Sequence, residues 1–235
     1  MHLFRAIVLA AALAGGLAGL FMTLAQQVGT VPLIQAAEVH EQETEVHDHG
    51  DHEHAWAPED GLERTAFTLM ANLVAGVGFA LLLTAGYALR GRNVGWREGL
   101  LWGVAGFVVF SLAPFLGLPP ELPGMPEAPL LPRQTWWLAT VGATALGLGL
   151  LAFRRSPATA VAAVALLAAP HLVGAPQPTE AASLVPDALA QRFVVAATVT
   201  SLLFWALLGV LSALFFAHFG RDCLSAPASL PNGSR

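Results

Sequence analysis

The segment "QRFVVAATVTSLLFWALLGVLSALFFA", residues 191–217, is the longest apolar stretch of the chain and indicates its fold class. Arg192 is its only charged residue, and the rest is almost entirely apolar. In an α-helix with a rise of 1.5 Å per residue, about 20 residues cross a hydrocarbon core of roughly 30 Å. The segment is longer than this, so it predicts a transmembrane helix.

Five more apolar stretches precede this one. They cover residues 3–25, 65–89, 98–116, 134–153 and 157–173, and the last is short and carries Pro170 near its end. Because lipid offers no hydrogen-bond partners to the backbone, spanning segments of this kind are helices. We therefore predict an all-α polytopic membrane protein, with about six transmembrane helices in a single membrane domain over residues 1–235.

The first apolar stretch also resembles a secretory signal, since a charge precedes an apolar run. Its apolar part is longer than that of a typical signal peptide, and no convincing cleavage site follows it. We therefore expect this segment to be kept as a helix.

Composition supports the membrane assignment. The chain has 235 residues, of which 55% are hydrophobic and only 11% are charged, whereas about a quarter of the residues of a soluble domain are charged. Ten of the sixteen acidic residues lie between Glu38 and Glu63. We expect the lipid bilayer, and not nucleic acid, as the partner. The single cysteine, Cys223, argues against a disulfide framework and against a multi-cysteine metal site.

The arginines indicate the orientation, because cytoplasmic ends of membrane helices are enriched in positive charge. With the amino terminus inside, eight arginines are cytoplasmic and three are outside. Both termini are then cytoplasmic, residues 38–63 form an extracytoplasmic loop rich in histidine and acid, and residues 218–235 form a cytoplasmic polar tail. The inner set is Arg5, Arg90, Arg92, Arg97, Arg154, Arg155, Arg221 and Arg235, and the outer set is Arg64, Arg133 and Arg192.

Short similarities suggest three helical hairpins built on one plan. The segments "PEDGLER" (58–64), "PEAPLLPR" (126–133) and "PDALAQR" (186–192) each open an inward-running helix, and "APFLG" (113–117) resembles "APHLVG" (169–174). The alternative is that proline followed by an acid is simply common where helices begin.

The outer loop contains the candidate metal ligands. Its sequence "EVHEQETEVHDHGDHEH", residues 38–54, holds five histidines and seven carboxylates. Imidazole together with carboxylate suits borderline divalent ions such as cobalt, nickel or zinc, although a histidine-rich tract is only a compositional signal. A pH-sensing role and a merely polar loop remain open. The predicted ligands are His40, His47, Asp48, His49, Asp51, His52, Glu53 and His54.

Near the outer ends of the predicted helices, four polar residues fall at a similar depth: Gln26, Gln27, Asn72 and His171. Ionisable groups within membrane helices are functional candidates, and we predict that these four residues form a polar mouth for ion entry. Alternatively, the amides only form hydrogen bonds between helices, and His171 caps a broken helix end.

Several reaction classes are disfavoured. The sequence has no Walker A pattern, so we expect no ATP hydrolysis by this chain. His171 and His218 lie at opposite membrane faces, which disfavours a bis-histidine haem. We expect no enzymatic activity, no catalytic residues and no permanently bound cofactor.

Several motifs taken together resemble the CbtA family, the predicted cobalt transporter subunits. They are "WAPEDGLERT" (56–65), "LGLPPELPG" (116–124), "WW" (136–137), "PHLVGAPQP" (170–178) and "QRFVVA" (191–196). The resemblance implies a bacterial inner-membrane protein that supplies Co²⁺ for cobalamin synthesis. It also implies a small partner, CbtB, with one transmembrane helix and its own histidines.

The residues themselves indicate only a borderline divalent cation, so Ni²⁺ and Zn²⁺ stay open as cargo. A protein of another class also fits the sequence, namely a membrane scaffold or metal-sensing accessory protein that binds ions without transporting them. The oligomeric state is left open.

Overall fold

The computed structural model describes residues 2–45, 58–59, 61–91, 94–154, 156–179 and 183–220. Within these ranges all regular secondary structure is helical. The helices are α1 (His2–Gly29), α2 (Val31–Glu45), α3 (Leu62–Arg90), α4 (Trp96–Phe115), α5 (Leu130–Phe153), α6 (Pro157–Val173) and α7 (Asp187–Phe219). Helix α4 contains a π-helical segment at Val108–Leu112.

Five of these helices are long and apolar enough to cross a membrane: α1, α3, α4, α5 and α7. Helix α6 has 17 residues and is about 25 Å long, somewhat less than the hydrocarbon core. The prediction of an all-helical, multi-pass membrane protein is therefore confirmed. The count of six spans is not confirmed.

Helix α7 is the centre of the molecule. Helices α1, α3 and α4 all pack on it, and α1 also packs along α3. We call α1, α3, α4 and α7 the four-helix bundle. Its buried core combines alanines of α1 with large side chains of α3 and α7, such as Tyr87, Leu208 and Phe216.

Glycines set the close approach of the helices in this bundle. A Cβ atom on Gly209 of α7 would lie 2.7 Å from the Cα of Gly103 in α4 and closer still to the carbonyl oxygen of Gly99. A Cβ on Gly19 of α1 would lie 2.9 Å from the Cα of Leu73 in α3. Small residues at these positions let the backbones pack together, which is a main source of helix association in lipid.

Helices α5 and α6 pack mainly on each other, and we call them the α5–α6 hairpin. Helix α5 also contacts the π segment and the following turn of α4, residues 108–115. The helices thus pair as α1 with α3, α4 with α7, and α5 with α6, so the prediction of three sequential hairpins is not confirmed. Close glycine packing holds α4 against α7. The long connections 116–129 and 174–186 allow helices that follow each other in the sequence to lie apart.

Helix α2 was not predicted. It continues the chain after α1 and makes the first part of the predicted outer loop, residues 38–45, helical. Ala37 of α2 packs in a small apolar cluster with Leu122, Val185 and Phe193. Residues 46–57 and 60 of the loop lie outside the described residues, as do residues 221–235 of the predicted tail.

Candidate functional site

A polar cluster joins α1 and α3 near the carboxyl end of α1. The Nδ2 atom of Asn72 donates hydrogen bonds to Oγ1 of Thr23 (3.0 Å) and to Oε1 of Gln26 (2.6 Å). Nearby, Nε2 of Gln27 donates to Oγ1 of Thr65 (3.2 Å). We call these five residues the entry cluster. Three of the four predicted mouth residues, Gln26, Gln27 and Asn72, are thus brought together.

The fourth predicted mouth residue, His171, lies in the α5–α6 hairpin. Its ring packs edge-on against Trp136 of α5, with 5.8 Å between ring centroids. The indole nitrogen of Trp136 donates to the carbonyl oxygen of Pro170 (3.1 Å). These contacts place His171 in the last turn of α6, beside Trp136 and apart from the hydrogen bonds of the entry cluster.

Helix α2 is tied to the same end of the bundle as the entry cluster. Nη1 of Arg64, the neighbour of Thr65 on α3, lies 2.9 Å from a carboxylate oxygen of Glu38 on α2. His40 follows two residues later on α2 and is half-buried. The start of the histidine-rich segment therefore lies close to the entry cluster.

The remaining predicted metal ligands lie outside the described residues: His47, Asp48, His49, Asp51, His52, Glu53 and His54. Among the residues that the structure does describe, no group of three or more His, Cys, Asp or Glu side chains is arranged to hold a metal ion. The metal-capture site of the outer loop therefore stays a prediction, and the entry cluster itself offers only neutral amide and hydroxyl groups.

A half-open cavity of about 200 Å³ adjoins Asn72 between the helices of the four-helix bundle, and the exposed Ala75 lies at its edge. We call it the polar chamber. Besides Asn72, its polar lining consists of Ser111 in the π segment of α4 and Ser201 of α7, whose hydroxyl oxygens are 2.8 Å apart. The chamber thus places three neutral polar side chains from three helices around one space.

Aromatic rings form another part of the chamber wall. Phe79, Phe110 and Trp205 all line it, and their ring centroids are 4.7–5.5 Å apart. We call them the aromatic triad. Further along α3 and α7 in the direction of Arg90, the hydroxyl of Tyr87 lies 3.0 Å from that of Ser212. Along the bundle, the triad therefore lies between the polar chamber and the pair formed by Tyr87 and Ser212.

The chamber serines were not predicted. Hydroxyls in membrane helices are weak sequence signals, because most can bond to a carbonyl of their own helix, as Thr84 does to Ala80 (2.8 Å). Ser111 and Ser201 instead pair with each other across two helices. Only the packing of α4 on α7 reveals this.

A larger cavity of about 570 Å³ lies between the 116–129 connection and the start of α5. Arg133 forms ion pairs there with Glu127 and with Glu121, the latter at 3.7 Å. Burial raises the pKa of Glu121, Arg133 opposes this rise, and the negative charge of Glu127 adds to it. Arg133 pairs with both acids, so the three side chains form an ion-pair network with a formal net charge of −1.

The chain was compared with known proteins. No significant match was found among the curated proteins or among the solved structures. The model of the CbtA family, described as a probable cobalt transporter subunit, matches residues 4–217. This match covers all the helices almost completely, including the entry cluster, the polar chamber and the α5–α6 hairpin. The chain therefore belongs to the CbtA family of probable cobalt transporter subunits.

Proposed function

We propose that this protein is the membrane subunit of an uptake system for divalent cobalt, in which ions gathered outside the membrane enter through the four-helix bundle. The observation that supports this most directly is the entry cluster, a part-buried group of amide and hydroxyl side chains between α1 and α3 in a member of a cobalt transporter family. Its side chains offer amide and hydroxyl oxygens to a cation without a fixed charge that would trap it.

In this proposal the segment 38–54 gathers the ions. Its imidazoles and carboxylates suit Co²⁺, Ni²⁺ and Zn²⁺, and its acidic character attracts cations at low ionic strength. The ion pair between Arg64 and Glu38 fixes the start of this segment beside the entry cluster. Captured ions are therefore released close to the place where they enter.

The membrane potential supplies a driving force. A charge that moves down a potential of 100 mV gains about 2.3 kcal/mol, so a divalent cation gains roughly 4.6 kcal/mol on entering a negative interior. The subunit then needs no enzymatic activity and no bound cofactor of its own. His171, on the separate α5–α6 hairpin, is kept as a second candidate for the mouth.

We place the protein in the bacterial inner membrane, with both termini in the cytoplasm, because eight of the eleven arginines then lie inside. Its family description as a subunit implies a partner. A small single-helix subunit of the CbtB type is the proposed partner, and cobalamin synthesis is the proposed use of the imported cobalt.

The deciding experiment is uptake of radioactive cobalt by cells that carry the chain, its partner, both or neither. In cells that carry both the chain and its partner, we expect uptake above the empty-vector rate, with weaker competition by Ni²⁺ and Zn²⁺ than by unlabelled Co²⁺. Uptake at the empty-vector rate would contradict transport and favour a scaffold or sensor role. Stronger competition by Ni²⁺ or Zn²⁺ would change the proposed cargo.

The same assay tests the outer segment. Replacing the four histidines between residues 47 and 54 by asparagine should raise the Co²⁺ concentration for half-maximal uptake by about tenfold and leave the maximal rate nearly unchanged, since a weaker capture site concentrates fewer ions. The control is His2→Asn, which removes the histidine at the first residue of α1, outside the segment 38–54. An unchanged concentration dependence in the four-histidine variant would show that the segment does not gather ions.

A further inference from the structure

The polar chamber lies one step deeper than the entry cluster, and Asn72 belongs to both. Ser111 and Ser201 are each less than a tenth exposed, and they come from α4 and α7. The chamber is therefore built by tertiary packing of helices that are far apart in sequence.

The oxygen atoms of the chamber are available to a ligand. Both hydrogen bonds of Asn72 use Nδ2 as the donor, so neither of them occupies its amide oxygen. One hydrogen bond joins the two serine hydroxyls, and each hydroxyl has two lone pairs. Among the described residues, the lining contains no carboxylate, histidine or arginine, so a bound cation would interact there with neutral dipoles only.

The chamber has the capacity for a hydrated ion. About 10–15 Å³ of cavity space is enough to admit one water molecule, so a cavity of about 200 Å³ has room for a cation together with several waters. A chamber that admits an ion together with its waters avoids most of the cost of removing a charge from water.

The order of residues along two helices gives the chamber a floor. On α3, Asn72 is followed by Phe79 and then Tyr87, and on α7, Ser201 is followed by Trp205 and then Ser212. Each step is about 6–12 Å along the helix axis. Along both helices, a polar position is thus followed by an aromatic position and then by a second polar position. At the aromatic position Phe79 contacts Trp205, with 4.7 Å between ring centroids, and this contact closes the floor of the chamber.

The chamber also borders an unusual backbone feature. Ser111 lies within the π-helical segment Val108–Leu112, and such segments are rare and concentrate at functional sites. Phe110 of the same segment stacks on Trp205 at an angle of 9° between rings. One irregular turn of α4 therefore supplies both a hydroxyl of the chamber and a ring of its floor.

We propose that the polar chamber is a holding site for a hydrated divalent cation, with Asn72, Ser111 and Ser201 as hydrogen-bond partners of the hydration shell and the aromatic triad as its closed floor. This inference rests on the proposed uptake function. The neutral lining makes binding weak enough for the ion to leave again, as conduction requires.

The test introduces a thiol into the chamber. The variant Ser201→Cys is made in a Cys223→Ser background, and its reaction with a small positively charged methanethiosulfonate is followed with and without Co²⁺ in the purified full-length protein. At Co²⁺ ten times above its half-saturating concentration, modification should slow about tenfold. The matched control is Thr144→Cys, a buried hydroxyl position in the α5–α6 hairpin, whose modification rate should not change with Co²⁺.

A second variant covers the facing helix. Ser111→Cys should show the same protection, and Ser201→Ala should lower the maximal rate of cobalt uptake by about threefold, because one hydroxyl of the hydration shell is lost. Equal modification rates with and without Co²⁺ in both cysteine variants, while the parental chain transports cobalt, would overturn the chamber and leave the proposed uptake intact. Failure of the parental chain to transport cobalt would overturn the proposed uptake, whatever the thiols report.

Discussion

The four-helix bundle and the α5–α6 hairpin are both apolar and helical, but they are built differently. In the bundle, glycines bring the backbones together, and polar side chains bond between helices, as Asn72 does to Gln26 and Tyr87 to Ser212. In the hairpin, α6 packs mainly on α5, and the closest glycine approach is looser, since a Cβ on Gly147 would lie 3.1 Å from the carbonyl oxygen of Ala163. One side chain, that of Trp136, bonds across to the backbone of Pro170, and the buried hydroxyl of Thr144 has no hydrogen-bond partner among the described residues. Under the proposed function, we assign ion transport to the bundle and structural support to the hairpin.

The largest expected effect comes from the glycine contact between α4 and α7. In Gly209→Leu the new side chain would collide with the backbones of Gly99 and Gly103. We expect a loss of about 3 kcal/mol or more in the free energy of unfolding, since overpacking forces helices apart. Thermal unfolding in detergent should show little folded protein.

The matched control lies in the hairpin. A Cβ on Gly142 of α5 would meet no atom within 4 Å, so Gly142→Leu should leave the melting temperature almost unchanged. If both variants unfold alike, the close packing at Gly209 does not determine the stability of the bundle.

The next effect concerns the ion path. Asn72→Leu removes the amide at the centre of the entry cluster and should lower cobalt uptake at subsaturating Co²⁺ by roughly tenfold, which corresponds to about 1.4 kcal/mol. His171→Phe keeps a ring against Trp136 and should lower uptake by less than about threefold. The two variants are compared at equal protein levels in the membrane.

A reversed ranking would contradict the division of roles between the bundle and the hairpin. If His171→Phe stops uptake and Asn72→Leu spares it, the ion passes along the hairpin, and the entry cluster only joins α1 to α3.

The apolar spans could be predicted from the sequence, because composition and length alone decide which helices suit a membrane. The association of Gln26 with Asn72 was also predictable from their depth, since α1 and α3 follow each other along the chain. Helix α2 was not predictable, because its sequence is polar and tertiary contacts such as Ala37 with Leu122 help to hold it.

The position of His171 shows the limit of a depth argument. Residues at the same depth meet only if their helices are neighbours, and neighbours are chosen by matching surfaces such as Gly103 against Gly209. Unlike the apolar spans, the π segment that contributes Ser111 has no clear sequence signature. Depth along the membrane was therefore accessible from the sequence, whereas lateral arrangement and the polar chamber were not.

The weakest effect concerns a buried hydroxyl of the hairpin and tests whether the hairpin contributes a polar group to ion transport. Thr144→Val replaces a buried hydroxyl without a described partner by a methyl group of similar size. We expect a gain of up to about 1 kcal/mol in the free energy of unfolding, because the cost of burying an unpaired polar group disappears. In the control Thr140→Val, the bond to the carbonyl oxygen of Trp136 (2.9 Å) is lost, and stability should fall by about 0.5–1 kcal/mol.

Cobalt uptake shows whether the Thr144 hydroxyl is only an unpaired buried group or takes part in transport. If the hairpin only supports the bundle, neither threonine variant changes the uptake rate, because no ion or water chain passes there. A fall in uptake for Thr144→Val together with lower stability would mean that this hydroxyl has a partner during transport. The hairpin would then carry part of the path, and the division between a transporting bundle and a supporting hairpin would no longer hold.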